Sequence, residues 1–357
     1  MANSGLNAAK KAKNDEFYTQ LSDIENELRH YKEHFRGKTV LCNCDDPRVS
    51  NFFHYFAYQF EALGLKRLIT TCYKSQERDL FSQHDCERAI YLVYDGDRNG
   101  NRVPDPEEIG IHYLNGDGDF RSEECVELLK QADIVVTNPP FSLFREYIGL
   151  LIKHGKKFLI LGNKNLITKK EIFPLFQSNR LWVGNTPMSR DMLFNLPHSL
   201  SEAFIATGKA GSKYKMIDGN VFGRSPSIWY TNLDHKKRHE ELILFRNYTP
   251  EAYPRYVNYD AIEVSKTEDI PCDYDGLMGV PITFMDKYNP EQFEIVGVSS
   301  DLANPLPLIR QWYLDHPEEK HVRTGGDAFY FKRGNGDLVR TYDRIVIRRR
   351  VKCFSTV

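Results

Sequence analysis

Ile134-Val135-Val136-Thr137-Asn138-Pro139-Pro140-Phe141 is an apolar run that ends abruptly in a polar residue, two prolines and an aromatic. Each proline lacks an N–H and has a fixed φ, so a strand over 133–137 cannot continue, and the chain leaves the sheet at Asn138. The Asn138 side chain and the Pro139 carbonyl then face outward as acceptors at a strand's carboxyl end, with the Phe141 ring beside them. Such a corner suits a planar amine. The plainer alternative is a turn.

The flanking sequence repeats the strand-and-helix rhythm in both directions. Downstream, Ser142 is placed to cap a helix bearing Leu143, Phe144, Tyr147, Ile148 and Leu151, and Lys157 to Gly162 reads as the next strand. Upstream, Ser122 is placed to cap a helix containing Val126, Leu128 and Leu129. Before it, a strand over Ile109 to Leu114 leaves through Gly116-Asp117-Gly118-Asp119-Phe120. Nearer the start, Thr39 to Cys44 is a short apolar strand broken by Asp45-Asp46-Pro47. A helical stripe of Phe52, Phe53, Phe56 and Phe60 follows and stops at Gly64, and Leu65 to Cys72 is a second strand. Strand, helix and strand make a βαβ unit. Ile24, Leu28, Tyr31 and Phe35 recur at helical spacing and predict one amphipathic helix from Asp23 to Gly37. Turn formers around Ile90 to Tyr94 suggest a hairpin inserted between sheet strands. Three βαβ-like steps predict an α/β protein with a doubly wound sheet.

The chain's 357 residues, 41% of them hydrophobic, suffice for a sizeable core and for one large domain or two. Lys and Arg number 48 against 49 Asp and Glu, so the net field steers no polyanion and any nucleic-acid contact must come from local basic patches. Seven scattered cysteines without a C-x-x-C pair argue against a disulfide framework and a zinc site, and predict reduced thiols. No apolar run approaches the roughly 20 residues that span a bilayer, and no apolar signal core opens the chain, so a cytoplasmic location is expected.

Residues 1–16 read as a flexible arm that ends in Asp15-Glu16-Phe17-Tyr18-Thr19, and 17–239 as the main domain. Leu181-Trp182-Val183 and Ser227 to Asn232 look like further strands, with a mobile cationic loop between them over Lys209 to Arg224. The cluster His235-Lys236-Lys237-Arg238-His239 is either a phosphate-facing patch, through Lys236, Lys237 and Arg238, or a solvated helix face. From about residue 240 the βα rhythm is lost, which predicts a smaller unit over 240–357. That unit would close in a hairpin: Phe329 to Arg333, a Gly334-Asn335-Gly336 turn, and a strand reaching Arg344 to Arg350.

Three polar clusters leave strand ends: Asp45 with Asp46, Asp119 with Phe120, and Asn138 to Phe141. In open α/β sheets ligands bind outside those ends. There is no G-x-x-x-x-G-K-[ST], no G-x-G-x-x-G and no nucleophile elbow. The rim offers acceptors and aromatic faces without a nucleophile, which suits catalysis by positioning two reactants, as methyl transfer to an amine requires.

Asn138-Pro139-Pro140-Phe141 resembles the catalytic motif of amino-group DNA methyltransferases. The wider set, Asp15 to Thr19, Cys42 to Phe53, Gly116 to Ser122, Asp133 to Tyr147, Trp229 to Asp234 and Gly279 to Phe284, resembles the EcoRI-type adenine-specific DNA methyltransferases over most of the chain. The resemblance implies a Rossmann-like, S-adenosylmethionine-dependent methyltransferase fold with a C-terminal DNA-recognition region. It implies catalysis by Asn138, Pro139, Pro140 and Phe141. For the cofactor it implies Phe17, Tyr18 and Thr19, then Asn43, Asp45 and Asp46 around the end of the first strand, and Asp119 and Phe120 at the adenine. It further implies double-stranded DNA as substrate and a flipped adenine; a metal-free, membrane-free monomer is expected, either standing alone or sharing a restriction system, without contact, with an endonuclease. The Gly-rich first motif of methyltransferases at large is missing, and Thr71, Cys72 and Tyr73 stand where an acidic ribose partner is usual. An RNA or protein-amide methyltransferase and a catalytically silent DNA-binding protein remain as alternatives.

Overall fold

The computed structural model describes residues 18–43, 50–72, 89–101, 104–105, 108–190, 192–195, 214–217, 219–304, 328–334 and 336–350. The arm over 1–16, Phe17, Asp45 and Asp46 lie outside them. The chain divides into two compact units, one from Met1–Lys164 and Trp182–His235, the other from Asn165–Leu181 and Lys236–Val357.

The described strands of the first unit are β1 (Tyr18–Thr19), β2 (Thr39–Asn43), β3 (Arg67–Thr71), β4 (Ile90–Tyr94), β5 (Ile109–Tyr113), β6 (Ile134–Thr137), β7 (Lys157–Asn163), β8 (Trp182–Val183), β9 (Met192–Asn195), β10 (Tyr214–Ile217), β11 (Asn220–Ser225) and β12 (Ser227–Thr231). Eight of them form a mixed sheet in the order β5-β4-β3-β2-β6-β7-β12-β8. Its centre, β3-β2-β6-β7, is parallel. Antiparallel pairs extend it on both sides, β4 and β5 beyond β3, and β12 and β8 beyond β7. Val40, Cys42, Leu68, Ile134, Val136, Leu159 and Leu161 join a core with Ile24, Leu28, Phe52, Phe56 and Phe60. Leu41, Ile69, Val135, Phe158 and Ile160 alternate with them and are also buried. Both faces of the central strands are therefore covered, which is why they read as unbroken apolar runs.

Helices Asn51–Tyr58 and Phe60–Leu63 connect β2 to β3, and Gly64, at φ 62°, ends them in the left-handed conformation. From β6 the chain runs the opposite way, through helix Phe144–Lys153 to β7. The strand order thus reverses between β2 and β6, and open α/β sheets bind ligands outside the carboxyl ends of strands at such a switch point.

The single helix expected from Asp23 to Gly37 is two, Leu21–Leu28 and Lys32–Phe35. Ser122 caps helix Glu123–Gln131 as its position predicts, its Oγ accepting the Cys125 N–H at 3.3 Å. Ser142 caps nothing: a 3-10 turn over Phe141–Leu143 intervenes, with the Leu143 N–H on the Pro140 carbonyl at 2.9 Å, so the helix starts from Leu143 without a side-chain cap. The hairpin around Ile90 to Tyr94 is not an insertion between sheet strands. It is the sheet's own edge, since β4 pairs with β3 and Ile109–Tyr113 is its second arm. Within the expected cationic loop, β10 and β11 form an antiparallel hairpin, and β11 joins β9 and β1 in a four-stranded sheet; residues 209–213 lie outside the described part. Alternation decides this, because Val221, Gly223 and Ser225 are buried while Asn220 and Arg224 are exposed. Cys42, Cys125 and Cys272 are not disulfide-bonded. Cys72, in contrast to the expectation of reduced thiols throughout, is disulfide-bonded, since scatter along a sequence does not keep two cysteines apart in space.

In the second unit β13 (Ile262–Glu263), β14 (Met278–Pro281), β15 (Phe293–Val298) and β18 (Arg344–Arg349) form a sheet in the order β13-β14-β18-β15. β16 (Tyr330–Lys332) and β17 (Leu338–Arg340) form a separate two-stranded ribbon. The expected C-terminal hairpin therefore closes on 338–340, and Arg344–Arg349 crosses to the other sheet, where Ile345, Val346 and Ile347 are fully buried. Beneath the surface of that sheet Arg344 grips Glu263 with two hydrogen bonds, at 2.7 and 3.0 Å. Helix Phe173–Gln177 belongs to this unit, and its Gln177 Nε2 donates to the Val296 carbonyl at 2.8 Å.

Candidate active site at the carboxyl ends of the central strands

β2 and β6 end side by side, and their ends are tied together by hydroxyl groups. The Thr137 hydroxyl donates to the Asn43 carbonyl, and the Tyr147 hydroxyl donates to Asn43 Oδ1. Tyr147 comes from the helix that follows the two prolines, so the segment after β6 is fastened back to the end of β2. Asn138 is the first residue beyond β6 and is 7% exposed. Pro139 is buried, and Pro140 and Phe141 are half-buried.

The Tyr147 ring also meets the Phe120 ring edge-on, with centroids 5.0 Å apart and planes at 81°. Such aromatic pairs add about 0.5–1.5 kcal/mol beyond their area. Phe120 is buried, and the Arg121 guanidinium lies 5.4 Å from its ring centroid on the outer side. Asp119 accepts three hydrogen bonds from Arg121, from the backbone N–H at 2.8 Å, Nε at 2.9 Å and Nη2 at 2.6 Å. Those bonds hold its carboxyl below the ordinary range. Arg121 also reaches Glu146 at 2.8 Å, so the loop at 119–121 is moored to the helix that carries Tyr147.

Gly118 sets how close this loop comes to the sheet. Its φ is +81°, and a Cβ there would stand 2.2 Å from the Cys72 carbonyl oxygen. Only glycine satisfies both conditions. Behind it, the Glu124 carboxylate accepts the N–H groups of Asn115 at 3.1 Å and Gly116 at 2.9 Å. The loop is thus pinned at its start, its middle and its end.

Thr19 lies in β1, and its carbonyl accepts the Asn51 side-chain amide at 2.8 Å, which links it to the helix that follows β2. Thr19 is 2% exposed, and its hydroxyl has no hydrogen-bond partner among the described residues. A buried hydroxyl of that kind is a group a bound ligand can satisfy.

The structure thus brings Asn43, Asp119 and Phe120 together beside the end of β6, and places Thr19 against the helix after β2. Lys236, Lys237 and Arg238 belong to the second unit, in a short 3-10 helix. Lys236 is exposed. Lys237 forms an ion pair with Asp286 at 2.5 Å, both side chains about nine-tenths covered, and Arg238 donates to the Asn179 side chain. Tyr147, Thr137, Arg121 and Glu146 were given no role by the sequence. Tyr147 sits in the apolar stripe of its helix and reads as core; the usable signal is that a buried tyrosine needs a partner for its hydroxyl. Among the described residues no cluster of His, Cys, Asp or Glu could hold a metal ion, and no helix is long and apolar enough to cross a membrane.

A mixed sheet with a parallel centre, whose switch point carries an Asn-Pro-Pro-Phe corner and a buried aromatic wall, defines an amine-modifying transferase more closely than any other class. Comparison with known proteins makes the class definite: residues 5–350 match the family described as adenine-specific methyltransferase EcoRI, and the chain belongs to that family. It is 49% identical over 297 residues to the type II methyltransferase M.EcoRI of Escherichia coli, covering 82% of this chain and 89% of the relative. It is 41% identical over 309 residues to M.MgeORF184P of Mycoplasma genitalium, covering 85% and 88%. It is 38% identical over 353 residues to M.MpnI of Mycoplasma pneumoniae, covering 97% and 98%. No solved structure gives a significant match.

Proposed function

We propose that this methyltransferase moves a methyl group from S-adenosylmethionine to the N6 amine of an adenine flipped out of duplex DNA, at a defined sequence. The observation that carries the reading is the position of Asn138-Pro139-Pro140-Phe141, at the carboxyl end of β6 where the strand order of the parallel centre reverses.

The adenine amine is a poor nucleophile because its lone pair is delocalised into the ring. Asn138 Oδ1 and the Pro139 carbonyl oxygen, each accepting one N–H, would localise that pair on nitrogen and aim it. Acceptors at those positions also favour the positive charge that grows on nitrogen as it is alkylated. Phe141 stacks on the base, an interaction of about 1–3 kcal/mol in comparable base contacts. A paired adenine presents its amine edge-on inside the helix, so the base must leave the stack at a cost of a few kcal/mol.

The residues present fit S-adenosylmethionine: Phe120 offers a buried aromatic wall, Asp119 an ionised carboxylate, and Thr19 a buried hydroxyl that needs a partner. Asn43, with Phe17, Tyr18, Asp45 and Asp46, would complete that hold. When bound, the cofactor supplies a methyl group on a sulfonium centre. We assign catalysis to the first unit and target recognition, in a cytoplasmic monomer, to the second. There Lys236 is the phosphate contact of its cluster, since Lys237 is held by Asp286. A restriction endonuclease of the same specificity would act beside the protein without contact.

The test is transfer of a tritiated methyl group from S-adenosylmethionine to genomic DNA. Wild type is expected to label DNA, and Asn138→Ala to lose about 10²–10³-fold, the usual consequence of removing one transition-state hydrogen bond. Undiminished labelling by Asn138→Ala, or none by wild type, overturns the reading.

A further inference from the structure

The ribbon formed by β16 and β17 is rigid at its root and cationic at its end. At the root, buried Asn258 accepts the Tyr330 N–H at 3.0 Å and donates to the Ala328 carbonyl at 2.9 Å. The Val257 N–H reaches the Tyr330 carbonyl at 2.8 Å, and the Thr341 N–H reaches the Phe329 carbonyl at 2.9 Å. The Phe329 ring is stacked by Tyr259, with centroids 5.0 Å apart. Beyond that root the character changes. Lys332 pairs across the ribbon with Leu338, and Tyr330 with Arg340, so Lys332, Leu338 and Arg340 share one face. Lys332 and Arg333 are exposed, and neither takes part in an ion pair among the described residues. Leu338 is 44% exposed, and Tyr342, just past the ribbon, is 87% exposed. The ribbon end is closed tightly, with the Arg333 N–H on the Asp337 carbonyl at 2.9 Å and Gly336 at φ +89°.

The ribbon, separate from the four-stranded sheet of its unit, thus carries two exposed cations, an exposed leucine and, just past it, an exposed tyrosine. It matches the shape and charge of a major groove, which is about 12 Å wide and admits such a ribbon. We propose that this ribbon enters the major groove of duplex DNA and reads base edges there, with Lys332 and Arg333 as the contacting cations. The inference rests on duplex DNA being the substrate.

The test measures binding of the full chain, by fluorescence anisotropy, to three nucleic acids. These are a duplex containing the sequence that the wild type methylates, mapped by methylation-sensitive sequencing, the same duplex scrambled at that sequence, and a stem-loop RNA. Lys332→Ala/Arg333→Ala is expected to weaken the mapped duplex at least about tenfold and the scrambled duplex much less, as loss of base contacts does. Its melting temperature and its affinity for S-adenosylmethionine stay unchanged. Independently of affinity, Arg333→Cys is expected to cross-link to a thiol tethered on cytosine N4 in the mapped site. Unchanged binding without cross-linking, an equal loss on both duplexes, or a loss confined to RNA overturns the proposal. If wild type transfers no methyl group, the functional reading fails, and the ribbon is tested on the duplex that wild type selects from a random pool, where the proposal stands if Lys332→Ala/Arg333→Ala loses that selectivity and is overturned if the selectivity is kept. If wild type methylates DNA and the double variant binds as wild type does, only the ribbon fails.

Discussion

Tyr147 holds two parts of the site at once, through its hydroxyl on Asn43 and its ring on Phe120. Tyr147→Phe keeps the ring and strands a buried acceptor on Asn43. It is expected to cost about 1–3 kcal/mol in urea unfolding and to weaken donor binding in calorimetry, whereas Tyr147→Leu, which also removes the wall behind Phe120, weakens it further. Asp119 gives a pH signature. Arg121 holds its carboxyl below the ordinary 3.8, so this pair stabilises the fold above that value and the contribution is lost as pH falls through the lower, folded-state value. Arg121→Gln should therefore be less stable than wild type near neutrality, with the gap closing in acid; a gap that does not change with pH contradicts the pairing. At this scale the sequence was uneven as a guide. Asn138 to Phe141 stood out because two prolines cannot pass unnoticed in a strand. Tyr147 did not, because its helical spacing is that of a core residue and its partner Asn43 lies 104 positions away.

Loop and helix boundaries repeat that lesson. Ser122 and Ser142 look alike in sequence, each standing just before an apolar helical stripe, yet only Ser122 caps. The prolines before Ser142 keep the chain extended, and the 3-10 turn that follows takes up the residues a cap would have used. Ser122→Ala should accordingly cost about 1 kcal/mol, and Ser142→Ala almost nothing, in thermal melts of the two variants. Gly118→Ala is expected to cost more than either. Its left-handed backbone disfavours alanine by about 1–2 kcal/mol, and its Cβ cannot coexist with the Cys72 carbonyl, so the Asp119–Phe120 loop must move and donor affinity must fall with stability. The central parallel strands were legible as buried apolar runs. The edge was not, because β5 is half-exposed to exposed along its length and is recognisable only from its pairing with β4.

At the scale of the molecule, the sequence suggested only a loss of rhythm after residue 240, and nothing in it announced that residues 165–181 group with those after 235. The segment is short, and its apolar residues Phe173 and Phe176 would serve equally well in either core. A truncation after His235 keeps this segment and removes the strands it packs on, including β15. Such a fragment is expected to be poorly soluble, and removing 165–181 as well, with a short glycine linker in its place, is expected to improve it; equal solubility of the two fragments contradicts the assignment. The same interleaving bears on how the gene can change. A single recombination event near codon 235 would give a chimera whose second unit draws 165–181 from one parent and the rest from the other, so a foreign second unit fits only if both pieces travel together.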